Sequence, residues 1–235
     1  MIKEAIEKVL SLSGIHTKEI GEQVYTNGEL RRVTEPTAST LTVRNLSGLV
    51  DYLRNNFDGK LPVMVHIESP THVSAITGFN RDVQRNTLIQ ADALLPDIKY
   101  GSFYDIESFN ILLQSCFVPT DVRSSLLAIV GNVKDENVTS YGDDGTSQQV
   151  TAKVGVATVE QVKLPNPVYL KPFRTFIEIE QPESAFVFRM KDGPSAAIFE
   201  ADGGEWKLRA IQDIKLYLDE ALDEQISNGQ IVIIA

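Results

Sequence analysis
Along this chain the spacing of apolar positions switches between the helical period and the alternation of a strand. Ile2, Ala5, Ile6, Val9 and Leu10 fall on one helix face, with Lys3, Glu4, Glu7 and Lys8 opposite, and predict an amphipathic helix over residues 2–13 that Gly14 can end. Residues 23–33 read as a hairpin about Asn27-Gly28, because Asn-Gly supplies the positive φ angles of a type I′ turn. A short strand over 40–43 precedes a helix with Leu46, Leu49, Val50 and Leu53, capped by Asn45 or Ser47 and stopped by Asp58-Gly59.

Residues 61–79 predict a second hairpin whose register follows from its pattern. Val63, Val65 and Ile67 alternate with Met64, His66 and Glu68, so the first set should face the core. With residues 69–71 as the loop, Val73 and Ala75 fall opposite Ile67 and Val65, and His66, Glu68, His72 and Ser74 share the outer face. Residues 81–86 form a polar turn before a strand over 87–92. The middle is helical: 104–117 after Ser102, with Ile106, Phe109, Leu112, Leu113 and Cys116 on one face, then a shorter helix after Pro119, capped by Thr120 or Asp121.

From Val138 the period becomes two. Asp143-Asp144-Gly145 reads as a turn, 149–156 and 158–164 as strands, and Pro165-Asn166-Pro167 as a stiff joint, with Pro172 confining its strand to an edge. A hairpin over 183–200 turns at Lys191-Asp192-Gly193, and a strand through Trp206 and Leu208 follows Asp202-Gly203-Gly204. Ile211, Ile214, Leu218, Ala221 and Leu222 mark a last helix, stopped by Asn228-Gly229. The expected architecture is α+β, with mostly antiparallel hairpins packed against three or four helices over residues 35–229. Residues 1–34 form a helix-and-hairpin appendage, and 230–235 a β-prone tail. Left bare, that tail would invite aggregation, so it should add a strand to its own sheet or to a neighbour's. In the second case Ile231, Val232, Ile233 and Ile234 are oligomer contacts.

Composition narrows the possible partners. A chain of 235 residues, 43% hydrophobic, can fill a core, and a formal charge of −10 repels phosphate backbones and argues against non-specific nucleic-acid coating. The single cysteine, Cys116, rules out an internal disulfide or a cysteine-rich metal centre and fits a reducing compartment. Four charges in the first eight positions and the lack of a long apolar run predict a soluble protein that is neither exported nor embedded in a membrane.

Little catalytic chemistry is visible. His66, Glu68 and His72 are the one cluster with metal-ligand character, set against the plainer reading of a solvated strand face or subunit contact. No second-shell partners are recognisable, and the deaminase signature that opens His-x-Glu needs a Pro-Cys-x-x-Cys that this chain lacks. Cys116 sits among apolar positions with no positive charge nearby, as a core cysteine does. Nucleophile-elbow, Walker and dinucleotide-binding glycine patterns are absent, and no cofactor is predicted. Arg31, Arg32, Arg44 and Arg85, with Arg81, could form an anion-binding patch if the first two hairpins lie side by side; otherwise they are ordinary surface arginines.

Residues 41–53, the helix with Phe103 and Phe109, residues 146–164 and 168–173, the hairpin from Phe186 to Met190 and the closing helix at Leu218–Leu222 together resemble the phage- and prophage-encoded YfdQ-like family of unknown function. The resemblance spans roughly residues 35–226, in order and pattern rather than in any catalytic signature. It implies a bacteriophage setting, in the cytoplasm of a bacterial host, often among early genes. Three expectations follow: a non-enzymatic, self-assembling protein that binds or sequesters a host factor; a nucleotide or small-anion binder using the arginines; or a shell-forming virion component.

Overall fold
Strand pairing and two separate hydrophobic cores define the architecture seen in a computed structural model. It describes residues 2–12, 14, 17–20, 23–26, 37–132, 149–154, 158–163, 166–191 and 195–235. Two units are present, Met1–Thr37 and Ala38–Ala235. The first holds α1 (Ile2–Leu12), whose apolar stripe of Ile2, Ile6 and Val9 is exposed, and an antiparallel pair of β1 (Thr17–Ile20) and β2 (Gln23–Thr26). Gln23–Thr26 is thus a strand, but its partner lies upstream. The expected Asn27-Gly28 turn lies outside the described residues, as do His16 and Asp143-Asp144-Gly145, while the expected 191–193 turn lies partly outside them.

The second unit begins with β3 (Leu41–Val43) and α2 (Leu46–Asn55). Of the two candidate caps, Asn45 is the one used, its side chain accepting from Gly48 N–H at 3.1 Å. A Cβ at position 48 would lie 2.7 Å from the capping oxygen, so glycine there leaves the Asn45 cap undisturbed. The helix ends one turn before Asp58-Gly59, at Asn56, which takes the left-handed conformation (φ 44°) and donates to Tyr52 O. Then come β4 (Val63–Ser69), β5 (His72–Thr77) and β6 (Thr87–Asp92). In β4 and β5, Val65 pairs with Ala75 and Ile67 with Val73, the register that keeps both apolar sets on one face.

Next are β7 (Tyr104–Asp105), α3 (Ile106–Cys116) and α4 (Asp121–Gly131). Residues 104 and 105 are strand rather than the first helical turn, and Asp105 caps α3 by accepting from Ser108 N–H. Thr120 caps α4. A separate two-stranded antiparallel sheet pairs β8 (Gln149–Val154) with β9 (Thr158–Lys163). Then follow β10 (Val168–Leu170), β11 (Ser184–Lys191) and β12 (Ser195–Glu200). The expected strand through Trp206 and Leu208 is instead the start of α5 (Glu205–Ala221), where Ala210, Ile214 and Leu218 form a buried i, i+4 stripe and Leu208 is exposed. A short α6 (Asp223–Ser227) leads to β13 (Ile231–Ile234).

These strands build a five-stranded sheet of order β13-β4-β5-β6-β3 and a four-stranded antiparallel sheet of order β10-β11-β12-β7, in which β10 is an edge. The fold is α+β, with antiparallel hairpins at the centre of the larger sheet and parallel strands, β13 on β4 and β3 on β6, at its edges. One core lies between the larger sheet, α2 and α5, and includes Leu49, Leu53, Val65, Ile214 and Ile231. The other lies between the smaller sheet, α3 and α4, around Phe109, Phe117, Phe186 and Phe188.

Residues 171–183 join the two cores. Arg174 packs on Phe186 of the second core, whereas Phe176 and Ile179 are buried in the first, and Thr175 Oγ1 donates to Pro70 O at 2.6 Å. This segment has almost no regular structure, so its buried backbone groups need side-chain partners. Gln181 supplies them. Its Oε1 accepts from Arg174 N–H and Thr175 N–H, and its Nε2 donates to the carbonyls of Thr175, Phe176 and Ile179. Gln181→Ala would strand several of these groups and is expected to lower the unfolding free energy by about 2–4 kcal/mol. Urea denaturation checks this, and an unchanged midpoint would show that the segment is held some other way.

Candidate functional site
Strand alternation gives the five-stranded sheet two different faces. Val63, Val65, Ile67, Val73, Ala75, Ile89 and Ala91 are buried toward α2 and α5. The intervening positions put His66 and Glu68 from β4, His72 and Ser74 from β5, and Gln90 and Asp92 from β6 on the opposite, open face. Val232 and Ile234 of β13 extend this face with exposed apolar side chains, while Ile231 and Ile233 pack against the core.

The polar groups form a continuous band. His72 Nδ1 donates to Asp92 Oδ1 at 2.5 Å, and Asp92 Oδ2 accepts from Gln90 Nε2 at 3.0 Å with Arg44 Nη1 at 3.8 Å. On its other side, His72 Nε2 lies 3.5 Å from Glu68 Oε1, which is also 3.7 Å from His66 Nδ1 and accepts from the buried Ser74 hydroxyl at 2.9 Å. The carboxyl of Asp92 is held below its ordinary value chiefly by the His72 hydrogen bond; burial opposes the shift, and Gln90 and Arg44 add to it.

His66, Glu68 and His72 are therefore neighbours on one strand face. Among the described residues no group of three or more His, Cys, Asp or Glu side chains could hold a metal ion. Glu68 Oε1 sits between the two imidazoles and already accepts from Ser74, and one nitrogen of His72 is committed to Asp92, so these groups face one another instead of a common centre.

The arginines of the expected anion patch are described only in part. Arg31 and Arg32 lie outside the described residues. Arg44 meets Asp92 at the last residue of β6, whereas Arg85 precedes the first and lies over the Phe79 ring at 4.2 Å, so a strand length of roughly 20 Å separates the two arginines. The tail residues Ile231, Val232, Ile233 and Ile234, expected as oligomer contacts if they left the subunit, pair in parallel with Val63 to His66 of their own chain. The exposed edge of β4 takes the nearest partner that satisfies its backbone.

A second polar cluster had no signal in the sequence. Arg174, its side chain 7% exposed, stacks on Trp206 at 4.0 Å and donates to Pro182 O and Ser184 Oγ. Glu200 and Asp202 lie 3.5 and 3.9 Å from its guanidinium. Burial pulls the Arg174 guanidinium below its usual range, and Tyr100, Asp202 and Glu200 counter it. Burial works to raise the Asp202 carboxyl, but Ser184, the Gly204 N–H and Arg174 outweigh it and hold it below its ordinary value. Two carboxylates face the one guanidinium, and the cluster fastens residues 171–183 to β11, β12 and the start of α5.

No protein-family model matches the chain, and neither a curated protein nor a solved structure does. Among the described residues no helix is long and apolar enough to cross a membrane.

Because the folded-state value of Asp92 is depressed, its contribution to stability is present above the ordinary carboxyl value of 3.8 and is lost as pH falls through the lowered one. Asp92→Asn is expected to melt below wild type near neutrality, with the gap closing as pH drops below about 4. Melting temperatures measured across that range check this; a gap constant down to about pH 3 would show that Asp92 gains nothing from His72.

Proposed function
We propose that this chain is a non-enzymatic interaction protein that engages a protein partner through the open face of its five-stranded sheet. The observation that carries the reading is the asymmetry of that sheet. Helices cover one face, while the other presents a pre-ordered polar band from Arg44 to His66 beside exposed Val232 and Ile234. Side chains already fixed by one another lose little freedom on binding, and a polar band adjoining an apolar strip is the make-up of a protein interface. Among the described residues neither imidazole is hydrogen-bonded to a hydroxyl or thiol, so no nucleophile and base are paired on this face.

The resemblance to the phage- and prophage-encoded YfdQ-like family supports a setting in the cytoplasm of a bacterial host, with a host factor as the partner, and the lone buried Cys116 fits a reducing compartment. The separation of Arg44 from Arg85 weighs against the anion-binding alternative.

The test compares immobilised wild type with the double variant His72→Ala, Asp92→Ala in bacterial lysate, using the exposed α5 substitution Leu208→Ser as a control of equal handling. A partner captured by wild type and by the control, and depleted about tenfold or more on the double variant, is the expected result. Equal capture by all three, or none by any, would overturn the reading, with melting temperatures showing that the double variant is folded.

A further inference from the structure
We infer that two copies of this chain join their five-stranded sheets edge to edge, β13 pairing antiparallel with β13 of the second copy about a two-fold axis. Among the edges of the two larger sheets, β13 alone lacks a guard. β3 and β10 are three residues long and β7 is two. Arg44 follows β3 directly, and Pro167 and Pro172 flank β10. By contrast Ile231–Ile234 is longer, carries no charge, proline or glycine, and pairs with β4 without a bulge. An edge of that make-up is a template for another strand.

The ladder with β4 fixes which backbone groups of β13 are free. Val63 N–H donates to Gln230 O at 3.0 Å, so residues 230, 232 and 234 turn their N–H and C=O groups toward β4. Ile231 and Ile233 turn theirs outward, where no strand of the described residues lies. An antiparallel joint centred on Val232 sets Ile231 opposite the partner's Ile233, and Ile233 opposite the partner's Ile231. Both are then hydrogen-bonded pairs, so one two-fold operation satisfies all the outward groups of both copies and leaves none for chain growth.

Side chains and charge favour the same occupant. Val232, 59% exposed, meets its own copy across the axis, and Ile234, 39% exposed, lies diagonal to the partner's Val232, so the apolar strip is covered by its own kind. The strand has no charged side chain, which lets two chains of net charge −10 meet there. The acidic pair Asp223 and Glu224 on α6 precedes the start of β13. Antiparallel pairing carries the two starts to opposite ends of the joint, whereas a parallel addition would set them side by side. The open faces of the two sheets become one, with a polar band on either side of the joined apolar strips.

The experiment combines sedimentation equilibrium of the full chain with oxidative cross-linking. Wild type is expected as a dimer of twice the 26.0 kDa chain mass. Val232→Lys, and separately Val232→Glu, should fold yet weaken the dimer about tenfold or more, and mixing the two variants should restore it, because the axis sets position 232 opposite itself. Val232→Cys should yield a disulfide-linked dimer, since residues at a non-hydrogen-bonded antiparallel pair have Cα atoms about 4.5 Å apart. Ile234→Cys, on the same face, should not, because the partner's Gln230 lies opposite it; Cys116 is buried and takes no part. A wild type that is monomeric up to about 100 μM, a dimer that Val232→Lys leaves as tight as before, or cross-linking as efficient through Ile234→Cys as through Val232→Cys would overturn the inference. These readouts need no other protein, so they stand apart from the lysate test of the open face.

Discussion
Two hydrophobic cores within one unit are joined here by a segment that belongs to both, and a single amide side chain satisfies much of that segment's backbone. Residues 171–183 reach the second core through Arg174 and the first through Phe176 and Ile179, and they do so without a helix or strand to satisfy their backbone. An amide is the side-chain group that offers a donor pair and an acceptor in one plane, so Gln181 can serve N–H and C=O groups of the same loop together. Neither a carboxylate nor an amine could do both. The first residues of the loop are tied by Val118 N–H to Lys171 O and Phe173 N–H to Cys116 O, which fix them to the end of α3. The capping of α2 depends on the loop too, because Glu178 Oε1 accepts from both the Ser47 N–H and its hydroxyl.

What could be read from the sequence was whatever depends on period and local chemistry. The register of β4 on β5 was legible because a slip of one residue would turn Val63, Val65 and Ile67 out of the core. The gathering of His66, Glu68, His72 and Ser74 on one face followed from the same alternation. What stayed hidden depends on partners distant in sequence: Asp92, Gln90 and Arg44 reach the band only because β6 lies beside β5 and β3 beside β6. Arg174 had no signal, since its neighbours Ser184, Glu200, Asp202 and Trp206 come from three elements. Trp206 and Leu208 misled because two apolar residues two apart fit a strand as well as a helix, and the stripe that decides continues through Ala210, Ile214 and Leu218.

The two polar clusters show how similar residue types serve opposite ends. Around Arg174 the opposite charges lie within the cluster, and the guanidinium and the Asp202 carboxyl are largely shielded while Glu200 reaches solvent, so the group acts as a fastening. Across the open face the carboxylates and imidazoles are ordered by one another while remaining partly exposed, which leaves them available to something outside. Tyr52 on α2 lies between these extremes: burial first, then its bond to Asp58, pushes its hydroxyl up to about 12 and keeps it a neutral donor.

During synthesis the two cores cannot close in the order in which their residues emerge. The first is begun by Leu46 and Leu49 but is incomplete until Ile231 arrives to cover the edge of β4. The second draws its buried residues from between Phe109 and Ile198 and has all of them well before that. The half of the unit made later can therefore settle first, while the earlier half stays open on the ribosome, with β4 exposing unpaired backbone to any passing chain.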